Sequence, residues 1–193
     1  FTFVNHLSEI HLVKIKQDAN QFVRLHVSGY GENAKEGNAE LPVLEKLISI
    51  PFGSSVEIKI LNMEEKIVSL SDYLVDDLVF PSQPSVSKGE DAKGIQFVYN
   101  PLYYKYDGFY ENDIVRTELL GKMRGQQLAR LSLSPVQYNP ESNQLRIITN
   151  LEVKVLFKDI DFDGYRINQQ KYYSTGFNHL FRQCINYIDT QQM

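Results

Sequence analysis

Cys184 is the one cysteine of the chain, and His179 stands five residues before it. A thiol and an imidazole within hydrogen-bond reach could form a nucleophile and its base. Five residues along a helix, however, place two side chains on different faces. Cys184 also falls on an apolar stripe, so it is predicted to pack as a small hydrophobe. His6, His11 and His26 occur in strand-like segments without the spacing of a metal-ligand set. Asp159, Asp161 and Asp163, followed by Gly164, match the opening of a calcium-binding loop. The motif's closing glutamate would fall at Gln170, and a strand rather than a helix precedes the run. A solvated acidic turn is the leading expectation there, with calcium left open. The chain contains no G-x-S-x-G, Walker or H-E-x-x-H motif and no paired Ser/His/Asp arrangement. No enzyme, cofactor site or metal site is predicted.

The other candidate is a loop. "QPSVSKGEDAKG", residues 83–94, carries two lysines, Lys88 and Lys93, between the apolar segments "YLVDDLVFP" and "IQFVYNP". Ser, Gly, Pro and charge over this length predict an exposed loop. Long exposed loops in compact domains tend to be functional or disordered.

The elements that must carry such a loop are mostly strands. "EIHLVKIK" and "QFVRLHVSGY" read as strands, the second placing Val23, Leu25 and Val27 on one face. "LISIPFGSSVEIKIL" reads as strand, turn, strand, with Val56, Ile58 and Ile60 pointing one way. "KIVSLSDYLV" continues in that style, and "GENAKEGNAE" is expected to be a loop. Past the lysine loop, "VQYNPESNQLRIITNLEVKVLF" predicts a hairpin. Its second strand alternates through Leu145, Ile147, Leu151, Val153, Val155 and Phe157. Near the end, Phe177, Leu180, Phe181, Cys184, Ile185 and Ile188 recur at helical spacing. The expected fold is all-β: an antiparallel, jelly-roll-like β-sandwich with a short C-terminal helix, in a single domain over residues 1–193.

Composition narrows the partners. The 193 residues carry a net charge of -4, with 12 Tyr, 11 Phe and no Trp. An acidic chain of this kind argues against nucleic acid or an anionic membrane as partner. No apolar run approaches the roughly 20 residues of a membrane-spanning helix. A carbohydrate-binding or adhesion sandwich is the rival class, but it would need an aromatic platform that usually includes Trp. The opening "FTFVNH" begins mid-strand without Met, which predicts a processed or excised piece.

"NAELPVLEKLISIPFGSSVEIKI" and "LLGKMRGQQLARLSLSPVQYNPESNQLRIITNLEVKVLF" resemble the N-terminal propeptide of gingipain-type cysteine peptidases, secreted enzymes of Bacteroidetes. The landmarks are Glu40-Leu41-Pro42, Met123-Arg124-Gly125, Pro135-Val136-Gln137-Tyr138, Leu145-Arg146-Ile147 and the stretch from Phe177 to Tyr187. The likeness runs from about Gly37 to about Ile188. The lysine-specific branch is the closer, through Pro84-Ser85, Ser87-Lys88 and Phe97-Val98-Tyr99-Asn100. In the arginine-specific branch the other basic residue type stands where Lys88 stands.

The resemblance implies a β-sandwich without catalysis of its own. It implies that the domain keeps a cognate cysteine peptidase domain latent until proteolysis removes it, and assists its folding. It also implies secretion or surface display by way of the periplasm, with no small-molecule substrate. A peptidase that cuts after lysine has a pocket ending in an acidic or polar group. Ser87, Lys88 and Gly89 are the expected protease-inhibitory loop, with Lys88 entering that pocket as a pseudo-substrate. Lys93 is the fallback, disfavoured by Glu90 and Asp91 beside it. The Tyr-rich stretch "YYKYDGFYEND" is expected either to flank the interface or to cap the core. With no Lys or Arg after Arg182, the activating cut is expected just past Met193 or by an enzyme of different specificity.

Overall fold

A computed structural model of the chain describes residues 1–17, 19–85, 96–110, 113–124, 126–172 and 175–187. Eleven strands dominate these residues: β1 (Thr2–His6), β2 (His11–Gln17), β3 (Asn20–His26), β4 (Gly31–Asn33), β5 (Leu41–Ile50), β6 (Ser55–Ser69), β7 (Leu78–Val79), β8 (Val115–Met123), β9 (Gln126–Leu133), β10 (Val136–Asn139) and β11 (Gln144–Lys158). Three helices accompany them: α1 (Pro101–Tyr104), α2 (Phe162–Tyr172) and α3 (Thr175–Phe181).

The spine of the fold is the β6–β11 ribbon, antiparallel from Ser69↔Gln144 to Ser55↔Lys158. The other edge of β11 is shared between β10 at its start and β1 further along. A second sheet runs β4-β5-β9-β8 and a third β2-β3-β7, all antiparallel except the short β3–β7 pair. The expected β-sandwich is therefore present, built from antiparallel sheets with short helices at the end of the chain.

Two buried clusters hold the sheets together. One joins Val23 and Leu25 of β3 and Val27 just past it to Leu70, Val79, Tyr103, Tyr104, Tyr138, Leu145 and Ile147. The other joins Ile48 and Ile50 of β5 and Leu131 of β9 to Ile148, Leu151, Val153 and Val155 of β11. One strand serves both clusters because of a β-bulge: Ile148 and Asn150 face consecutive residues of β6, Glu65 and Glu64, leaving Thr149 as an extra residue. An extra residue reverses the pleat, so side chains of equal parity before and after it point to opposite faces. Leu145 and Leu151 look like one stripe in the sequence and line different cores in the fold.

The "KIVSLSDYLV" segment departs from strand. β6 ends at Ser69 and a turn of 3-10 helix follows over Leu70–Tyr73, closed by Leu74 in the left-handed region at φ 58°. Asp72 accepts the backbone N–H of Ser69, an N-terminal capping bond that stops the strand. The loop "GENAKEGNAE" opens with β4, which pairs Gly31–Asn33 with Leu41–Val43.

The C-terminal segment also differs from its helical pattern. α3 ends at Phe181, and residues 182–187 form turns. Cys184 is buried in those turns and not on a helical face. The physical reason is the open edge of β5. Ile185 donates its N–H to Leu47 O (3.0 Å), and the Asn186 side chain accepts the N–H of Ser49 (2.8 Å) and donates to its carbonyl (2.7 Å). An asparagine amide thus stands in for a neighbouring strand, satisfying a buried edge that another chain could otherwise extend. Asn186→Ala should cost about 1–3 kcal/mol by stranding both groups of Ser49. Denaturant titration checks this, and an unchanged midpoint would show that the edge is equally well served by water.

Candidate functional site

The lysine loop leaves the body of the protein just after β7, and its two legs are built differently. The outgoing leg is nearly a strand. Glu40 donates its N–H to Phe80 O (2.8 Å), Ser82 donates to Asn38 O (2.8 Å), and Gly37 donates to Ser82 O (2.8 Å). The returning leg, residues 96–100, uses its side chains. Phe97 lies with its ring centroid 5.8 Å from Phe22 and 6.1 Å from Phe80, while Tyr99 stacks on Tyr104 at 4.6 Å. The leg then runs into α1, whose start is fixed by Asn100. The Asn100 side chain accepts the N–H groups of Leu102 and Tyr103 and donates to Asn38 Oδ1 (2.8 Å). Pro101 at the first helical position needs no partner for a missing N–H.

Gly37 lets the legs meet. Its φ of 81° is in the left-handed region that glycine occupies without strain. A Cβ there would sit 3.1 Å from Asn100 N and 3.2 Å from Val98 Cγ1.

Beneath the legs lies a charged and aromatic shelf. Arg24 Nε bonds Glu40 (2.9 Å), and its guanidinium lies 4.8 Å over the Phe80 ring. Burial raises the Glu40 pKa above the ordinary glutamate value; nearby Arg24 opposes the shift and Glu32 adds to it. A carboxyl that titrates higher when folded favours the folded state most at low pH, and that advantage fades as pH rises through its folded pKa. Glu40→Gln removes the slope. The variant should gain stability relative to the parent as pH is raised from 4 towards 7, and parallel pH–stability profiles would show the Arg24 bond fully offsets burial.

Ser87, Lys88 and Gly89, with the alternative Lys93, lie outside the described residues. The Tyr-rich stretch divides between core and surface. Tyr103 and Tyr104 are buried, Tyr104 donating its hydroxyl to Val79 O (2.6 Å), and burial raises both phenol pKa values. Tyr106 of the same stretch and Leu102 just before it are exposed.

The remaining sequence candidates are dispersed. Burial pushes the Cys184 thiol up to about 11, which disfavours the thiolate a nucleophile needs, while His179 is exposed on α3. The three aspartates divide their tasks. Asp159 accepts from Ser55 Oγ (3.5 Å), Asp161 accepts the Gly164 N–H (2.9 Å) at the start of α2, and Asp163 faces Arg166 at 3.8 Å. Among the described residues no group of three metal-ligating side chains comes together.

Gln83 and Gly37 were not singled out by sequence. An amide next to a Pro-Ser loop and a glycine in a polar turn carry no motif, and only their partners give them significance.

The Propeptide_C25 family model matches residues 2–173. The chain belongs to this propeptide family. The match begins at the first strand, thirty-odd residues before the landmark motifs, so β1 to β3 belong to the family fold as well. Lys-gingipain of Porphyromonas gingivalis is 32% identical over 182 residues, 92% of this chain and 10% of that protein. Gingipain R1 of the same organism is 27% identical over 158 residues, 80% of this chain. The propeptide thus spans about a tenth of the curated Lys-gingipain it matches. In a solved structure described as giving insight into zymogenic latency of gingipain K, one chain superposes with a TM-score of 0.76 at 32% identity, covering 81% of the propeptide and 87% of that chain. A structure of the Porphyromonas gingivalis RgpB pro- and mature domains in complex matches with a TM-score of 0.70 at 18% identity, and so shares the fold.

Proposed function

We propose that this propeptide holds a lysine-specific, gingipain-type cysteine peptidase latent, with Lys88 entering the specificity pocket of the enzyme as a pseudo-substrate. The observation that carries the reading is the loop base. A segment containing two lysines departs from and returns to the same turn, residues 37–38, on a packed sandwich. Tying both legs to a rigid body reduces the ordering cost of presenting the residues between them. The greater identity to Lys-gingipain than to gingipain R1 favours lysine over arginine as the residue the partner accepts.

In such a complex the ammonium of Lys88 gains a charge-assisted hydrogen bond, worth about 1.5–3 kcal/mol net. Ser87 and Gly89 flank it, Gly89 allowing the backbone to turn away from the cleft. The catalytic groups belong to the peptidase; the propeptide contributes occupancy. A stable inhibitory complex of ordinary size buries about 1,600 Å² in all, so surface beside the loop must contribute. Exposed Leu102 in α1, into which the returning leg runs, and exposed Tyr106 just after α1 suit that role. The pair would act at the cell surface or outside it, after passage through the periplasm, and proteolysis would end the latency.

The test is inhibition of the mature peptidase domain of the same precursor by the separate propeptide, with native pull-down in parallel. Inhibition together with a stable complex supports the reading. A propeptide that assists refolding of the peptidase without inhibiting it is a folding domain only. One that does neither belongs to the adhesion or ligand-binding class.

A further inference from the structure

The two legs of the loop exchange no backbone–backbone hydrogen bond with each other among the described residues. Beside the Phe80–Phe97 ring contact, one side chain among the described residues hydrogen-bonds across them. Gln83 on the outgoing leg donates through Nε2 to Pro81 O (2.9 Å) and to Val98 O (2.9 Å), and its Oε1 accepts the N–H of Val98 (2.9 Å). We propose that Gln83 is a positioning residue of inhibition: its amide acts as a surrogate strand that closes the base of the loop, so that the inhibitory lysine is presented at a fixed place. This inference rests on the inhibitory reading above.

Three features set Gln83 apart from a surface glutamine. Its carbonyl and N–H₂ together engage both backbone groups of Val98, the pairing a neighbouring strand would supply. It is half-buried, and its bonds go to Pro81 and Val98, one on each leg. Gly37 and Asn38 complete the same base from below, Gly37 O accepting the Asn100 N–H (3.0 Å). Ten residues of the chain, 86–95, connect the two legs in sequence. The chain entropy of that closure is largely removed before the partner arrives when both ends are fixed.

An amide suits the position. A glutamate would keep the bond from Val98 N–H but lose both donated bonds and place a negative charge against two carbonyl oxygens. A leucine would lose all three bonds at similar size.

The inhibition constant against the mature peptidase domain of the same precursor is measured for the parent, Gln83→Leu, Gln83→Glu, Lys88→Ala and the Gln83→Leu/Lys88→Ala double variant. Melting temperature and the amide exchange rate of Val98 are followed alongside. Gln83→Leu should weaken inhibition about tenfold or more, with the melting point within a few degrees of the parent and faster exchange at Val98. Gln83→Glu should fall between the two. Lys88→Ala should cost less in the Gln83→Leu background than alone, because a lysine no longer held in place has less to lose; a merely structural role would leave the two effects additive.

A folded Gln83→Leu that inhibits like the parent overturns the proposal. If Gln83→Leu does not fold, an unchanged constant for Gln83→Glu does the same. Additivity with a costly Lys88→Ala overturns the positioning role, because Gln83 and Lys88 then act independently of each other. If Lys88→Ala alone changes nothing, the pocket assignment falls, while weakened inhibition by Gln83→Leu still assigns the brace to the loop base.

Discussion

Lys88→Ala should weaken inhibition of the cognate peptidase by about two orders of magnitude. Truncating one partner of a buried, hydrogen-bonded charge pair costs about 2–5 kcal/mol, and 2.7 kcal/mol corresponds to about a hundredfold in affinity. Much of that cost arises on the enzyme's side, where the pocket's acidic group would be left without its cation. Lys88→Arg should fall in between, because a guanidinium keeps the charge but needs a planar, wider site than an ammonium. Lys93→Ala should change little, since Glu90 and Asp91 stand between it and Lys88 and suit an acidic pocket poorly. Residual activity on a lysyl peptide substrate, titrated with each variant, gives the constants. An unaltered constant for Lys88→Ala would sink the pseudo-substrate assignment, and a loss confined to Lys93→Ala would move it five residues along.

Tyr104→Ala should be the most damaging change outside the loop, destabilising the fold by about 3–5 kcal/mol. The side chain is buried in the cluster that holds β3, β7 and β10 together. Its ring carries Tyr99 at 4.6 Å and meets Tyr103 edge-on at 5.2 Å. Removing it opens a cavity and takes away the platform of the returning leg. For a chain of this size the loss corresponds to a fall in melting temperature of about 6–20 °C. Tyr104→Phe isolates the hydroxyl. It keeps the packing and leaves the Val79 carbonyl without its 2.6 Å partner, for a loss of about 1–3 kcal/mol. Calorimetry on the pair separates the two contributions; equal melting points for Phe and Ala would mean the hydroxyl, not the ring, holds the leg. If leg and loop act as one unit, Tyr104→Phe should also leave inhibition nearly intact, since Tyr99 keeps its stacking partner.

Stability and presentation are separable in this design. The core aromatic Tyr104 supports the returning leg from inside, and Gln83 ties it to the outgoing leg near the surface. A change at the first should appear mainly in melting, and at the second mainly in inhibition.

Much of the fold was legible in the order of residues. Val23 and Leu25 of β3 and Val27 just past it alternate and are all buried, as period-two patterning predicts. The turn at residues 51–54 follows from Pro, Gly and Ser, and Ser54 closes it by donating to Pro51 O. Propensity also placed the long strand after the Asn139-Pro140 turn. The family likeness marked the residues around Lys88 as the candidate site, which composition alone could describe only as exposed.

Other features depended on contacts between distant segments. The parity of Leu145 and Leu151 suggests one face, yet the bulge at Thr149 sends them to two cores, since a single extra residue reverses the pleat without altering the pattern of residue types. The stripe from Phe177 to Ile188, its last residue outside the described residues, suggests a longer helix than α3. The open edge of β5 instead captures Ile185 and Asn186, and a buried sheet edge with unpaired groups outweighs a marginal helical preference in so short a segment. Asp159, Asp161 and Asp163 have the spacing of a cation loop, but the chain turns into α2 and gives each a different partner. Gln83 is the sharpest case. Periodicity and propensity describe how a residue relates to its near neighbours, whereas its role depends on Val98, fifteen residues away, being brought back to the same turn by Gly37 and Asn100. Local sequence therefore set most of the strands and turns, and the family likeness set the candidate lysine; tertiary packing decided which core β11 serves on each side of Thr149 and what joins the two legs beside Val98.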